Sequence, residues 1–363
     1  MTSPPESDAA VGRAQIIGTG LIGGSVGLAL RQEGWHVAGV DASASNERDA
    51  LERGAVDEIG IDPQALLVIV CTPSHTVSSL VEEALARTDD PELVVTDVAG
   101  VKASIVGSIK DPRFIGGHPM AGSEQFGVAG SRSDLFLGAT WVLTPGPSTS
   151  PEAYGRLLAV VRSLGANGVA LSAEDHDRLV ALVSHVPHLV ASALMNEASA
   201  AAESDAALLQ LAAGGFRDMT RVAAGDPGIW PEVCVENAEA ILEGLDELMS
   251  RLTVMRSAIA SGDRPALHGL LQSASAARRS LPGRATNPEL LASIRIPVPD
   301  RAGVLADVAS AASEIGVSVV DIEIAHSVEG GRGVMIVVVA RVDAHRYGEA
   351  LSDRGFSCTV ADL

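Results

Sequence analysis

The chain has 363 residues, 47% of them hydrophobic and 20% charged, a composition typical of two or three globular domains rather than of a disordered protein. A formal net charge of −20 argues against binding of nucleic acid or of an anionic membrane through a general electrostatic field. Three cysteines without CxxC spacing exclude a disulfide framework and a zinc ribbon, and they fit a reducing cytoplasm.

The first ten residues are polar and acidic, so we expect no signal peptide there. The longest apolar runs, such as 66–71 and 334–340, are far shorter than the ~20 residues that a membrane span needs. The sequence therefore predicts a cytoplasmic protein that contacts neither a membrane nor nucleic acid.

Short apolar runs alternate with segments of helical periodicity over the first part of the chain. The predicted strands are 15–17, 36–40, 66–71, 93–96, 114–116, 141–143 and 168–171, and the clearest predicted helices are 24–32 and 76–86. Buried parallel strands are continuously apolar, as these runs are. Residues 11–172 are therefore predicted to form an α/β Rossmann-type domain.

The next region, 173–282, is rich in Ala and Leu and is predicted to be an all-α domain, interrupted by a loop-rich stretch at 214–231. Apolar residues at helical spacing, including Ile241 and Leu245, form a stripe that belongs either to the core or to a homodimer interface. Beyond a linker at 281–288, residues 291–363 have the βαββαβ order of a ferredoxin-like domain.

A glycine-rich loop follows the first strand and opens a helix, which is the context of a dinucleotide-binding fingerprint. Gly18 allows the tight turn, Gly20 lets a pyrophosphate approach the backbone, and Gly23 allows close packing of helix and strand. Asp41 ends the next strand, where a carboxylate accepts ribose hydroxyls and favours NAD, although Arg48 nearby leaves NADP open.

Two further loops follow later strands at the edge where open α/β sheets bind ligands. Lys102, in the second loop, is predicted either to meet a diphosphate or substrate carboxylate or to be a solvated surface lysine. The residues predicted to bind the cofactor are Gly18, Thr19, Gly20, Leu21, Ile22, Gly23, Asp41, Thr72, Pro73, Asp97 and Gly100.

Histidines and arginines are the candidates for chemistry. His118 is predicted in a glycine-rich loop after a strand, where an imidazole could accept a proton near neutral pH. His185 and His188 share a helix face and are predicted to face substrate; no metal site is expected, since no carboxylate or Cys has a matching offset. Arg217 and Arg221 flank Asp218 and could clamp carboxylates or cap helices.

Five segments in this order resemble the prephenate/arogenate dehydrogenase family: GTGLIGGS at 18–25, TDVAGVK at 96–102, GGHPMAGSE at 116–124, SHVPH at 184–188 and GGFRDMTR at 214–221. The resemblance implies NAD-linked oxidative decarboxylation of prephenate to 4-hydroxyphenylpyruvate, with arogenate as the alternative substrate. It also implies that His118 accepts the proton of the 4-hydroxyl and that Arg221 binds a carboxylate. The other substrate residues that it implies are His185, His188, Ser123, Glu124, Asp218 and Trp230.

One position departs from the family pattern, because Gly100 stands where the family often has a Ser that supports the catalytic His. A non-catalytic sensor of NAD and amino acids is a rival function, which would require His118 and Arg221 to be dispensable. A hydroxyacid dehydrogenase of the 6-phosphogluconate type is another rival, but it relies on a lysine in its helical domain and residues 173–277 contain none.

The C-terminal segment resembles an ACT domain, a small module that often binds amino acids at a dimer interface. The resemblance implies an effector site, with tyrosine as the expected feedback inhibitor; an ACT domain that only supports dimerisation is the alternative. The implied effector residues are Asp300, Gly303, Val304 and Asp321.

Overall fold

The computed structural model describes residues 11–122, 125, 127–203, 208–225, 227–280, 291–299, 301, 303–326 and 332–362. Among the predicted site residues, Ser123, Glu124 and Asp300 lie outside the described residues. The chain divides into two compact units, one formed by Met1–Ala200 with Thr220–Leu248 and the other by Ala201–Met219 with Met249–Leu363. The domain limits at 172 and 282 stay a prediction.

An eight-stranded sheet forms the centre of the first unit, in the order β3-β2-β1-β4-β5-β6-β7-β8. Its strands are β1 (Arg13–Ile17), β2 (His36–Val40), β3 (Glu58–Ile59), β4 (Leu67–Val70), β5 (Val94–Asp97), β6 (Phe114–Pro119), β7 (Thr140–Thr144) and β8 (Asn167–Ala170). All neighbouring pairs are parallel except β6 and β7, which are antiparallel. The carboxyl ends of β1, β2, β4, β5 and β6 therefore meet at one edge of the sheet.

Helices cover both faces of this sheet, as expected for a Rossmann-type domain. They are α1 (Leu21–Gln32), α2 (Ala44–Glu52), α3 (Ser74–Leu85), α4 (Ala103–Ser108) and α5 (Pro151–Ser163). One core cluster contains Val26, Leu30 and Ile69, and the cluster on the other face contains Val77 and Val81. Because strands β4 and β5 are buried along their whole length, they read in the sequence as unbroken apolar runs.

The helical region begins with α6 (Ala173–Val180), a π-helical turn (Ala181–His185) and α7 (Val186–Ala202). Pro187 explains the π turn: it has no N–H to donate in the α-helical register, so the hydrogen-bond pattern shifts just before it. The remaining elements are α8 (Gly214–Thr220), a 3₁₀ turn (Arg221–Ala224), α9 (Trp230–Glu236), α10 (Ala238–Ser261) and α11 (Arg264–Arg279). The stretch predicted to be loop-rich is thus a series of short helices.

One helical stretch, Ala173–Ala202, is long and apolar enough to cross a membrane by length and composition. The continuous apolar runs of the sequence did not predict such a stretch. Only 28% of its apolar window is buried, and Leu182 and Val183 are 60% and 66% exposed. A single stretch of this kind is weak evidence for a membrane span, since helices of soluble proteins pass the same test. It marks an apolar surface that is available for association.

The C-terminal residues form an antiparallel sheet in the order β10-β11-β9-β12, with two helices against it. The elements are β9 (Leu291–Pro299), α12 (Val304–Glu314), β10 (Val319–His326), β11 (Arg332–Ala340), α13 (Arg341–Asp353) and β12 (Thr359–Asp362). Ile294, Val308, Val337 and Tyr347 are fully buried in their shared core. This is the order of strands and helices that the sequence predicts for 291–363.

Candidate active site

The glycine-rich loop connects β1 to α1 and has the geometry of a nucleotide-binding turn. Gly18 has a φ of +95°, which side chains rarely adopt. A Cβ on Gly23 would overlap the carbonyl oxygen of Gly18, which agrees with its predicted packing role. A Cβ on Gly20 meets no atom within 4 Å, so the backbone there faces open space. The first N–H groups of α1, beginning with Leu21 and Ile22, have no partner within the helix and suit an anion.

Asp41 lies at the end of β2, beside this loop. Its Oδ2 accepts a hydrogen bond from the N–H of Thr19 at 2.8 Å, and its Oδ1 accepts from the N–H of Ser43 at 2.9 Å. These bonds hold the carboxylate next to the turn, where the sequence places the contact with a ribose. Arg48, which left NADP open, donates to the carbonyl of Ala44 within its own helix.

Thr72 and Pro73 lie at the same edge, after β4. Pro73 is the N-cap residue of α3, and the hydroxyl of Thr76 donates to the hydroxyl oxygen of Thr72 at 2.8 Å. The loop that follows β5 contains Gly100, where a Cβ would lie 3.9 Å from Cε1 of His118 and 4.0 Å from Nε2. Gly100 therefore lies directly against the imidazole.

Asp97 and Lys102 form an ion pair. Both side chains are completely buried, so Lys102 is not the solvated surface lysine that was one of its two predicted roles. Asp97 also accepts from the N–H of Ala99 at 2.9 Å and of Gly117 at 3.1 Å, which ties β5 to β6. Burial lowers the pKa of Lys102, and the charge of Asp97 opposes that shift. A contact of Asp97 with the cofactor stays a prediction.

His118 is in β6 itself rather than in the loop after it, because the strand continues to Pro119 through antiparallel pairing with β7. The pairing sets His118 opposite Val142 in the register, so the backbone that carries the imidazole is rigid. The sequence prediction ended this strand at residue 116, since its glycines are typical of a loop.

A chain of hydrogen bonds runs from His118 into the helical region. Nδ1 of His118 lies 2.8 Å from Nε2 of His176, and Nδ1 of His176 lies 2.7 Å from Oδ1 of Asp177. Asp177 also accepts from the N–H groups of Lys102 and Ala103, each at 2.8 Å. His176 is fully buried and Asp177 is 6% exposed. These two residues of α6 were not singled out from the sequence, although their type and position at a helix start were visible there.

His185 and His188 reach the same region from the π turn and α7. The side-chain amide of Asn237 donates to the backbone carbonyl of Asp177 at 2.9 Å, which fixes the orientation of the amide. The same nitrogen lies 3.2 Å from Nδ1 of His185. Since an amide nitrogen only donates, Nδ1 of His185 accepts and its proton is on Nε2. Asn237 is a further site residue that the sequence analysis missed.

Trp230 forms an aromatic wall with the two histidines. Its ring stacks on His188 with centroids 3.6 Å apart and planes 12° apart, and it meets the edge of His185 at 6.1 Å. The sequence left Trp230 as a core anchor or a cavity wall, and its ring contacts with both predicted substrate residues favour the wall.

Arg221 begins the 3₁₀ turn that approaches this wall. A Cβ on Gly225, the residue after the turn, would lie 3.7 Å from Cε1 of His188. Arg217 and Asp218 lie in α8, exposed, and the guanidinium of Arg217 donates to the carbonyl of Ala212. Both belong to the second unit. The structure thus brings the turn of Arg221 to the histidines, while the predicted clamp of Arg217, Asp218 and Arg221 is divided between the two units.

Desolvation keeps the imidazoles of His118 and His185 neutral. It lowers the pKa of His118 well below its usual 6.5, and the neighbouring His176, Lys102 and His185 lower that pKa further. It also lowers the pKa of His185 to about 4, against the opposing charge of Asp177. Glu236 adds a buried carboxylate oxygen, Oε2, with no hydrogen-bond partner in the part of the chain that the structure describes. A neutral His118 can accept a proton.

The described residues contain no group of three or more His, Cys, Asp or Glu side chains that could hold a metal ion. The site combines a neutral base, a neutral donor and an aromatic wall.

Comparisons with known proteins show the family of the chain. Residues 26–170 match the family model "Prephenate dehydrogenase, nucleotide-binding domain", and residues 172–273 match "Prephenate dehydrogenase, dimerization domain". A Bacillus subtilis protein named prephenate dehydrogenase is 30% identical over 347 residues, which are 92% of this chain and 94% of the relative.

Solved structures show the same relationship. Synechocystis arogenate dehydrogenase is 34% identical with a TM-score of 0.64, over 74% of this chain and 99% of that one. The prephenate dehydrogenase of Aquifex aeolicus, solved with hydroxyphenyl propionate and NAD+, is 27% identical with a TM-score of 0.70, over 76% and 100% of the two chains. With a nucleotide-binding and a dimerisation domain in this order, the chain belongs to the prephenate dehydrogenase family.

Proposed function

We propose that this protein catalyses the NAD-dependent oxidative decarboxylation of prephenate to 4-hydroxyphenylpyruvate. One observation carries the proposal: a neutral, half-buried His118 lies in the sheet that also carries the glycine-rich loop, and it is hydrogen-bonded to the helical region that carries the aromatic wall. Family membership and the relatives named prephenate dehydrogenase support it.

The glycine-rich loop fits a dinucleotide. The open space at Gly20 admits a diphosphate close to the backbone, the start of α1 offers N–H groups, and Asp41 offers a carboxylate for the ribose. When bound, NAD+ supplies the acceptor for the hydride that leaves C4 of the substrate. Asp41 supports NAD over NADP because a carboxylate repels a 2′-phosphate.

His118 is the proton acceptor. Its Nε2 takes the proton of the 4-hydroxyl as the hydride leaves C4, which converts that carbon to a carbonyl carbon. The C1–CO₂ bond then breaks, its electron pair restores the aromatic ring, and the proton returns to the oxygen at C4. The reaction therefore consumes no net proton, and gain of aromaticity drives it forward.

The substrate carboxylates meet neutral and cationic groups of the helical region. Nε2–H of His185 is a fixed donor, since Asn237 occupies Nδ1. Arg221 is proposed to bind a carboxylate bidentately from the turn beside His188. The ring of Trp230, stacked on His188, offers an aromatic face to the substrate ring.

The likeness to Synechocystis arogenate dehydrogenase supports arogenate as the second candidate substrate. The deciding experiment follows NADH absorbance with prephenate and arogenate, each with NAD and NADP. We expect turnover with prephenate and NAD to be fastest. Faster turnover of arogenate would reverse the substrate assignment, and no reduced cofactor with either substrate would overturn the function.

We also propose that the active form is a homodimer joined through the helical region. The dimerisation family model covers 172–273, and Leu182, Val183, Leu242 and Met249 there are more than half exposed. Burying such side chains against a second copy stabilises association by roughly 25 cal/mol per Å². Light scattering of the full chain checks this, and a monomer at micromolar concentration would contradict it. A cytoplasmic location is part of the same proposal.

We further propose that the C-terminal unit is an ACT domain that senses tyrosine. The observed βαββαβ order, the φ of +91° at Gly303 and the buried Val304 at the start of α12 support it. Asp321 lies exposed on β10 next to an irregularity in strand register, where it could meet an ammonium. Titration of tyrosine into the full chain and into residues 1–288 tests it. Equal inhibition of both would exclude this unit as the sensor.

A further inference from the structure

We propose that His176 and Asp177 are positioning residues that fix the tautomer of His118 and leave its Nε2 free of a proton. The inference goes beyond the proposed function, since no comparison assigns a role to either residue, and it rests on that function only in using His118 as the base. The hydrogen bonds of three side chains and two backbone groups carry it.

The direction of donation along these hydrogen bonds follows from their end at Asp177. Asp177 receives the N–H groups of Lys102 and Ala103 at 2.8 Å each, and these groups can only donate. A carboxylate in this role accepts a third bond from His176, so the proton between them belongs to Nδ1 of His176. Burial of His176 and Asp177 shields these bonds from water.

The tautomer of His176 in turn determines the tautomer of His118. With its proton on Nδ1, a neutral His176 has a lone pair on Nε2, and this lone pair accepts the proton on Nδ1 of His118. The proton of His118 is therefore on Nδ1, and Nε2 is the atom that can accept one. That nitrogen lies on the side of Gly100, whose missing side chain leaves the approach open.

The same geometry explains how a glycine is compatible with catalysis at position 100. A Ser there would hold His118 from the Nε2 side, since its Cβ would be 4.0 Å from that atom. In this chain the imidazole is held from the opposite side, through Nδ1, by a residue of the helical region. His185 has the opposite tautomer, because Asn237 donates to its Nδ1. The site therefore has Nε2 of His118 as an acceptor and Nε2–H of His185 as a donor, and each tautomer is fixed by a hydrogen bond to Nδ1.

The first test does not depend on activity. In ¹⁵N spectra of the histidines of the full chain at neutral pH, we expect His118 and His176 as Nδ1–H tautomers and His185 as the Nε2–H tautomer. Spectra of His118→Asn and His176→Gln assign the signals. An Nε2–H tautomer of His118, or rapid exchange between its tautomers, would overturn the proposal.

The second test uses kinetics with a matched pair of variants. Leu at position 176 cannot accept a hydrogen bond, whereas the Oε1 of Gln can reach the place of Nε2 and accept from His118. We expect His176→Leu to lower kcat by roughly 10- to 100-fold with KM and the Kd of NAD within about threefold, the size of effect of a misplaced general base. With His176→Gln we expect a smaller decrease in kcat, whose logarithm is at most about half of that seen with His176→Leu.

Asp177→Ala removes the acceptor at the far end of these hydrogen bonds. Neither tautomer of His176 is then favoured, so the proton of His118 is no longer held on Nδ1, and we expect kcat to fall by roughly tenfold or more. Thermal melting of each variant separates this loss from unfolding. Equal kcat in wild type, His176→Leu and Asp177→Ala would overturn the proposal, whereas a wild type inactive on both substrates with the expected tautomers would overturn the proposed function alone.

Discussion

The carboxyl ends of β5 and β6 lie side by side, and they use polar groups in opposite ways. At the end of β5, the carboxylate of Asp97 binds Lys102 and two backbone N–H groups, and neither side chain reaches solvent. At the end of β6, His118 binds one partner through Nδ1 and is only partly buried. Both oxygens of Asp97 thus accept hydrogen bonds, whereas Nε2 of His118 has no partner among the residues that the structure describes.

This difference separates a structural use of charge from a chemical one. A buried ion pair is retained only when both charges are matched and bonded, and a group in that state has nothing to offer a ligand. A buried neutral imidazole keeps a lone pair and can take a proton when a hydroxyl approaches. The sequence motifs place both strand ends at the ligand-binding edge of the sheet. Which of the two polar groups can serve in chemistry is shown only by the hydrogen bonds that each already makes.

The largest effect expected is on stability, at the end of β5. Lys102→Met leaves Asp97 with two N–H donors and no counter-charge, and we expect it to lower the free energy of unfolding by about 3–5 kcal/mol. At temperatures where the variant stays folded, kcat should change by less than about tenfold, a small loss on the scale of general-base catalysis. Chemical denaturation and steady-state kinetics measure the two quantities.

Lys102→Met with Asp97→Asn is the matched control. It removes both charges, and we expect it to recover part of the stability because no unpaired charge remains buried. A single Lys102→Met variant as stable as the wild type would show that the pair is hydrated and that the two strand ends do not differ as described.

The second effect is on chemistry, at the end of β6. His118→Asn removes the proton acceptor, and we expect kcat to fall by a factor of ~10² or more, equivalent to about 2.7 kcal/mol. The Kd of NAD and the melting temperature should stay close to the wild-type values, because the glycine-rich loop and the Asp97–Lys102 pair are untouched. Stopped-flow NADH formation and calorimetric titration of NAD measure these; a normal kcat would end the assignment of His118.

Sequence patterns predict much of this fold because the signals are local. The glycine spacing at 18–23, the apolar runs of β4 and β5 and the βαββαβ order all depend on neighbours in the chain. Partners distant in sequence were not predictable in this way. Asp97 and His118 both look like ligand residues in their motifs, and only the fold shows that Lys102 and His176 occupy them. The glycines of β6 also concealed the end of this strand, from residue 117 to 119, since its pairing with β7 is non-local.

The third prediction concerns pH. His118 must be neutral to accept a proton, and its pKa lies well below 6.5, chiefly because of burial and further because of the neighbouring His176, Lys102 and His185. We therefore expect kcat/KM to vary by less than about twofold from pH 8 to 6.5, with the acid limb below 6.5. An acid limb at or above 6.5 in the wild type would contradict the neutral base.

The same shifts give the sign of the pH dependence of stability. The unfolded chain binds protons at its histidines near 6.5, whereas folded His185 binds one only near pH 4. Protons therefore favour the unfolded state below 6.5, and stability falls as the pH drops from 6.5 towards 4.

The smallest expected effect comes from Gly100→Ser, which places a hydroxyl between the two strand ends. The new Cβ makes only ordinary van der Waals contact with His118, at 3.9 and 4.0 Å, so the fold should accept it. Its hydroxyl can donate to Nε2, and the substrate hydroxyl must then displace a hydrogen bond of net strength ~0.5–1.5 kcal/mol. We expect kcat/KM to fall by about two- to tenfold. A rise in kcat/KM would show that the hydrogen bond to His176 does not hold His118 firmly and that the new hydroxyl orients it better. In a His176→Leu background we expect the opposite effect. There Gly100→Ser should raise kcat/KM, because its hydroxyl replaces the lost partner of the imidazole.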